Sequence, residues 1–169
     1  MVGNLFFLYL IQGVFVIMIG SILPMIKEEY GLSYQVGGFL ISAHSIGNMI
    51  TGLIAGVLPL LFGLRRSLLG LNILPFAGFA IVLVTGNPWM LIFALLLTGL
   101  GRGAVSNYNN QIISALSKGS AAPLNMLHGF FAIGAVMAPF LVLLFTQADS
   151  SGWRKVIYVV IGLGAISMG

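Results

Sequence analysis

Apolar residues run along this chain in long unbroken stretches, separated by short polar or glycine-containing turns, and they do not alternate with a period of two. A helix that crosses a bilayer needs roughly 20 such residues, whereas barrel strands would alternate. The pattern predicts six transmembrane helices. The first span runs from Gly3 to about Ile26 and stops at Lys27-Glu28-Glu29. Ser33 is placed to cap a second, from Tyr34 to about Phe62, which Arg65 and Arg66 close. A third covers Ser67 to about Thr85. Asn87-Pro88 then turns the chain, with Pro88 in the first turn of a fourth span that ends near Leu116. Lys118-Gly119-Ser120 leads to a fifth, from Ala121 to about Thr146. After Asp149-Ser150-Ser151-Gly152 a sixth begins near Trp153 and continues to Gly169. The short turns leave no room for a soluble domain. Residues 1–169 are expected to form one six-helix transmembrane unit, and the abrupt apolar end reads as a fragment, or an N-terminal half, of a longer protein whose second half is absent.

Polar side chains are distributed unevenly over these spans. Spans 1, 2, 4 and 5 carry them at depth: Gln12; His44, Asn48 and Thr51; the group around Arg102; Asn125 and His128. Spans 3 and 6 carry almost none, Asn72 being the main exception. Polar, polar, apolar therefore occurs twice, and Gly63-Leu64-Arg65-Arg66 before span 3 is echoed by Gly152-Trp153-Arg154-Lys155 before span 6. With three spans per unit the second copy must be inverted relative to the first, the arrangement of many transporters.

Composition changes this picture little and charge changes it less. Of the residues, 59% are hydrophobic and 6% charged, against about 25% charged in soluble domains, so lipid must solvate the surface. The net charge of +4 comes from seven scattered Lys and Arg, which form no basic stripe for nucleic acid. Lys27, Arg154 and Lys155 on one side balance Arg65, Arg66 and Lys118 on the other, so the positive-inside rule gives no orientation. Cysteine is absent, which removes disulfide and thiol chemistry.

On a wheel of about 100° per residue, Thr98, Arg102, Ser106, Asn109 and Asn110 share an arc of roughly 120° on span 4, bordered by Gly99 and Gly103. His44, Asn48, Thr51 and Ala55 share a face of span 2, as do Asn125, His128, Gly129, Ala132 and Pro139 on span 5. These stripes read either as the lining of a shared wet interior or as hydrogen-bonding glue between helices. Arg102 has no carboxylate at its depth in this chain, since Glu28, Glu29 and Asp149 all sit in loops. Its partner is then an acid from elsewhere, an anionic solute, or amides and water. His44 and His128 are either proton carriers or neutral hydrogen-bonded rings. Two distant histidines without thiols or acids make no metal site, Ser42 and His44 lie on different faces, and no phosphate-cradling loop is present, so neither an enzyme nor a cofactor is indicated.

The run Gly31-Leu32-Ser33, Gly38-Phe39-Leu40-Ile41-Ser42-Ala43, Gly47, Gly52, Gly56-Val57-Leu58 and Gly63-Leu64-Arg65-Arg66 resembles the first half of a major facilitator superfamily transporter. The last part is similar to that superfamily's loop signature between helices 2 and 3, with Leu60 where an Asp is usual. Gly101-Arg102-Gly103 through Asn110, and Leu124-Asn125-Met126-Leu127-His128 through Gly134-Ala135 and Pro139, resemble fucose-permease-type sugar transporters. The resemblance implies a twelve-helix plasma (inner) membrane carrier of two halves, whose helices 1, 2, 4 and 5 face a central cavity. Fucose-type permeases couple uptake to protons through carboxylates in helices 1 and 4; Gly20 and Ser106 stand at those places here, so symport would require His44 or His128 in that role. The expectation is an alternating-access transporter of a small hydrophilic solute, a sugar or sugar acid, working with a C-terminal half or a second copy of the chain. Gln12, His44, Asn48, Arg102, Ser106, Asn109, Asn110, Asn125 and His128 would bind the solute, and Gly56, Gly63, Arg65 and Arg66 would form the gating loop. The alternatives are an efflux carrier for drug-like molecules, with a more aromatic cavity, and a non-transporting membrane scaffold.

Overall fold

A computed structural model of the chain describes residues 2–117, 120–147 and 149–168, and every regular element among them is helical. The turn at Lys118-Gly119 and the chain end at Gly169 lie outside the described residues. In order the helices are α1 (Val2–Glu29), α2 (Tyr34–Ile54), α3 (Leu58–Phe62), α4 (Leu64–Asn72), α5 (Leu74–Val84), α6 (Pro88–Leu116), α7 (Ala122–Thr146) and α8 (Trp153–Met168), with a 3-10 turn at Ser150–Gly152 before α8.

Two expected spans are broken, each at a proline. The second span does not continue to Phe62: α2 ends at Ile54, and α3 follows with Pro59 in its first turn. A proline at 59 has no N–H for the carbonyl of Ala55 and its ring crowds that carbonyl, which weakens the helix where α2 gives way to α3. The third span starts earlier than expected, at Leu64, and divides at Ile73, where Pro75 opens α5 in the same way. Pro24 and Pro139, by contrast, lie inside α1 and α7 without ending them. The expected starts hold where capping side chains set them. The Ser33 hydroxyl accepts from the Val36 N–H at 3.2 Å, and the Asn87 side-chain oxygen accepts from Trp89 N–H at 3.0 Å at the head of α6.

Four segments are long and apolar enough to cross a membrane: Gly3–Glu29, Arg66–Val84, Pro88–Leu116 and Ala122–Thr146. The other two expected spans fall short for different reasons. α8 has 16 described residues, and the 21 residues of α2 are diluted by Gln35, His44, Asn48 and Thr51.

The helices pack as two compact units. One contains α1, α7, α8 and α6 from Asn109 onward; the other contains α2 to α5 with α6 up to Tyr108. In the first, α1 and α7 meet backbone to backbone. A Cβ at Gly13 would overlap the Phe131 carbonyl, and one at Gly134 would overlap the Leu10 carbonyl. Below that crossing Leu5, Tyr9, Ile113 and Leu127 form a buried cluster. At the far end of α1, Glu29 binds the start of α8: Trp153 Nε1 donates to its Oε2 at 2.7 Å, and Arg154 Nη1 lies 2.5 Å from its Oε1. Arg154 also stacks over the Trp153 ring, 4.5 Å from its centroid. The neighbouring Asp149 accepts from the Ser151 hydroxyl and backbone N–H, and those bonds hold its carboxyl below the usual range.

The second unit repeats the device. A Cβ at Gly47 would overlap the Leu96 carbonyl, and one at Gly99 the His44 carbonyl. Gly103 faces Thr51, and Thr51 Oγ1 donates across to the Leu100 carbonyl at 2.8 Å. On its other side α6 seats Pro75 against Gly101.

Gly134→Ala should therefore lower unfolding stability in detergent by about 1–3 kcal/mol, the cost of forcing atoms into a packed contact. Gly20→Ala, with open space around the added carbon, should be neutral or slightly stabilising. Equal effects of the two substitutions in a denaturant titration would contradict the crossing. A second expectation concerns Glu29, whose removal strands the indole N–H of Trp153, a fully buried residue. Glu29→Ala should cost about 1–3 kcal/mol, whereas Arg154→Ala should cost under about 1 kcal/mol because that ion pair is partly exposed.

Candidate functional site

The expected site residues divide between the two units, and each group has its own character. In the first unit Tyr9 and Gln12 stand three apart on one face of α1, and Asn125 and His128 do the same on α7. Gln12 and Asn109 are buried, Asn110 is half-buried, and Asn125 and His128 are exposed. Tyr9 ties the three helices together. Its hydroxyl donates to Asn110 Oδ1 at 2.7 Å, and its ring meets the His128 imidazole edge to face at 5.9 Å and Phe131 at 6.4 Å. Phe6 and Phe130 stack beside this group at 5.3 Å. The Nδ2 of Asn109 has no hydrogen-bond acceptor among the described residues. Pattern reading from the sequence missed Tyr9. The available signal was a phenol three residues before Gln12 in an otherwise apolar run.

In the second unit much of the expected lining is spent on holding helices together. His44 Nδ1 lies 3.0 Å from Thr98 Oγ1, whose own proton goes to the Leu95 carbonyl at 2.7 Å. Asn107 donates back to the Gly103 carbonyl at 2.7 Å, and Thr51 bonds α6 as described above. Arg102, Ser106 and Asn48 are half-buried, with Arg102 and Ser106 one turn apart on α6.

The loop residues also lie in this unit. Gly56 is exposed, and Gly63 adopts φ +80, a conformation that favours glycine, as its carbonyl accepts from the Ser67 hydroxyl at 2.9 Å. Arg66 is exposed, while the Arg65 side chain lies outside what the structure describes. Leu60, where the resembling loop has an acid, is 83% exposed on α3. Among the described residues no group of three His, Cys, Asp or Glu side chains gathers to hold a metal.

Apolar helices crossing through glycine, with amides, imidazoles and a guanidinium along their middles, define a multi-pass integral membrane protein. The chain belongs to the Major Facilitator Superfamily, whose profile matches residues 5–169. It is 28% identical over 156 residues to vacuolar basic amino acid transporter 5 of Saccharomyces cerevisiae, covering 90% of this chain and 26% of that protein. It is 33% identical over 120 residues to myo-inositol transporter 1 of Candida albicans, covering 69% of this chain and 21% of that one. It is 27% identical over 152 residues to the probable sulfoacetate transporter SauU of Cupriavidus necator, covering 86% and 33%. The chain thus spans between a fifth and a third of the length of these relatives. The family is one of transporters, not of enzymes.

The absence of cysteine makes water access directly measurable. Single cysteines at Asn125 and His128 should react with a charged, water-soluble thiol reagent, and one at the buried Leu127 should not. Cysteines at Ala77 and Gly162, exposed on the protein surface, should also resist because lipid covers them. Equal labelling at all five positions would contradict a wet interior on α7.

Proposed function

We propose that the chain is the N-terminal six-helix half of a secondary active transporter that moves a sugar or sugar acid by alternating access. In this reading the six spans form two inverted three-helix repeats and work with a C-terminal half or a second copy of the chain in the plasma (inner) membrane. The observation that carries it is the hydrogen-bonded Tyr9–Asn110 pair with His128 against it, a polar group among apolar helices where desolvation makes idle polarity costly. Recurrence of the glycine crossing once in each unit supports the repeat. Gly13 and Gly99 stand 86 residues apart, and Gly47 and Gly134 stand 87 apart. Likeness to the myo-inositol transporter supports a polyhydroxylated solute, and likeness to the sulfoacetate transporter supports an acidic group on it. The fucose-permease resemblance of α6 and α7 points the same way.

In this mechanism Asn109, Asn110, Asn125, His128 and Gln12 hydrogen-bond the solute, with Ser106 and Asn48 as further polar contacts. Arg102 supplies the charge that compensates its acidic group, and His44 keeps α2 against α6. Gly56, Gly63, Arg65 and Arg66 form the loop that must rearrange as the halves rock. A second reading, efflux of drug-like molecules, is favoured by one observation: the aromatic surroundings of the site in Tyr9, Phe131, Phe6 and Phe130.

Arg102 decides between the readings. A guanidinium holds a carboxylate through two parallel bonds that an ammonium cannot reproduce. Arg102→Lys should weaken D-glucuronate uptake into vesicles by about 1–3 kcal/mol in apparent affinity, while Arg102→Gln should erase the preference for glucuronate over glucose. Export of planar aromatic cations with no uptake of either sugar would favour the second reading. Unchanged sugar transport in both variants would show that Arg102 does not touch the solute.

A further inference from the structure

We infer that the backbone carbonyl of Gly20, left without a helical donor by Pro24, is a recognition point on α1 that accepts a hydrogen bond from a hydroxyl of the solute. The inference rests on the sugar reading above and adds a contact that none of its side chains supplies.

In a regular helix the carbonyl of residue 20 accepts from the N–H of residue 24. Residue 24 is a proline with no N–H, and it lies inside α1 without ending it. The carbonyl is thus released in mid-helix, where hydrocarbon offers no donor and an unsatisfied backbone group costs several kcal/mol. The adjacent hydroxyl does not supply one, because Ser21 Oγ donates to the Ile17 carbonyl at 3.1 Å. Packing does not cover it either. A glycine has no side chain, so its exposure is that of its backbone. Gly20 is exposed, with open space where a Cβ would stand.

Four prolines interrupt a predicted span beyond its first turn, and the other three differ. Pro59 releases the carbonyl of Ala55, a residue 2% exposed. Pro75 releases Leu71, whose oxygen accepts from the Ile73 N–H and lies against Gly101. Pro139 releases Ala135, which is half-buried beside Gly13 at the crossing with α1. Of the four, Gly20 is the one that opens outward.

The repeat gives independent support. Gly20 and Ser106 stand 86 residues apart, the same interval as Gly13 and Gly99. Where α6 presents the hydroxyl proposed above as a solute contact, α1 presents bare backbone. A carbonyl can accept from a hydroxyl or an ammonium. Glu28, Glu29 and Asp149 stand at the end of α1 and before α8, so no carboxylate on this stretch would neutralise an ammonium. A neutral hydroxyl is the donor that fits.

The test uses D-glucose, D-glucuronate and the monodeoxy analogues of whichever binds more tightly, titrated calorimetrically into the complete carrier in lipid nanodiscs. At one ring position, loss of the hydroxyl should weaken binding to the parent about fivefold, the scale of one hydrogen bond between neutral groups. Pro24→Ala returns an N–H to the carbonyl, and the gap at that position should close to within about twofold while gaps at other positions persist. Gly20→Val covers the carbonyl from outside and should close the same gap. The double variant should behave as either single one, because both remove one contact. If Pro24→Ala disturbs folding, Gly20→Val carries the test alone, since the added carbons enter open space. Survival of every gap in the folded variants, as when water alone serves the carbonyl, overturns the inference and leaves the sugar reading standing. Collapse of all gaps together also overturns it, since Pro24 would then shape the whole site. If the parent binds neither sugar, that reading fails and takes this inference with it.

Discussion

Backbone contact at glycine is the constraint on which the rest of the structure depends. In a lipid environment apolar side chains gain nothing by leaving one oily surface for another, so helices associate through close packing and interhelical hydrogen bonds. Gly13 with Gly134, and Gly47 with Gly99, provide that packing. The Thr51 to Leu100 bond, the Tyr9 to Asn110 bond and the His44 contact with Thr98 form between helices that these crossings bring together. A methyl group at any of the four glycines would push a carbonyl away and loosen the polar contacts nearby.

The two units use similar crossings for different ends. In the unit built on α2 and α6, the hydroxyl of Thr51, the amide of Asn107 and the His44 ring are committed to partners within the fold. That unit behaves as a fastened wall, with Arg102, Ser106 and Asn48 as its half-buried polar residues. In the unit built on α1 and α7, only part of the polarity is committed. Tyr9 spends its hydroxyl on Asn110, whereas Asn109 keeps a buried donor in hand and Asn125 and His128 remain exposed. The solute contacts we propose draw mainly on the unit built on α1 and α7.

Much of the fold was legible in the order of apolar and polar residues, because span length and helix starts are local properties. Ser33 caps α2 where its position predicted, and Asn87, expected only as a turn residue, caps the head of α6. The breaks at Pro59 and Pro75 were visible as letters but were read through, since apolar runs flank both and Pro24 and Pro139 show that a proline need not end a helix. Glycine was less legible still. Gly20 meets open space and Gly13 meets a carbonyl, and nothing local separates them. The polar site residues were named from their types, but Tyr9 was not, because a phenol in an apolar run counts as apolar until its partner 101 residues away is known. The bond between Glu29 and Trp153 was hidden for the same reason, with a separation of 124 residues.

The pairing of α1 with α7 has a consequence for how the chain is made. Gly13 leaves the ribosome well before Phe131 and Gly134, the residues of the helix it packs against. At a synthesis rate of about 5–20 residues per second, α1 waits on the order of 6–25 s for its partner. The unit containing α2 and α6 can close earlier, since Gly47 and Gly99 are only 52 residues apart. During that interval Gln12 and the hydroxyl of Tyr9 sit in a newly inserted helix with neither α7 nor Asn110 yet in place. Assembly therefore depends on whatever shelters a partly polar α1 until α7 arrives. Weakening the α1–α7 crossing would lower the yield of inserted protein as well as the stability of the finished molecule.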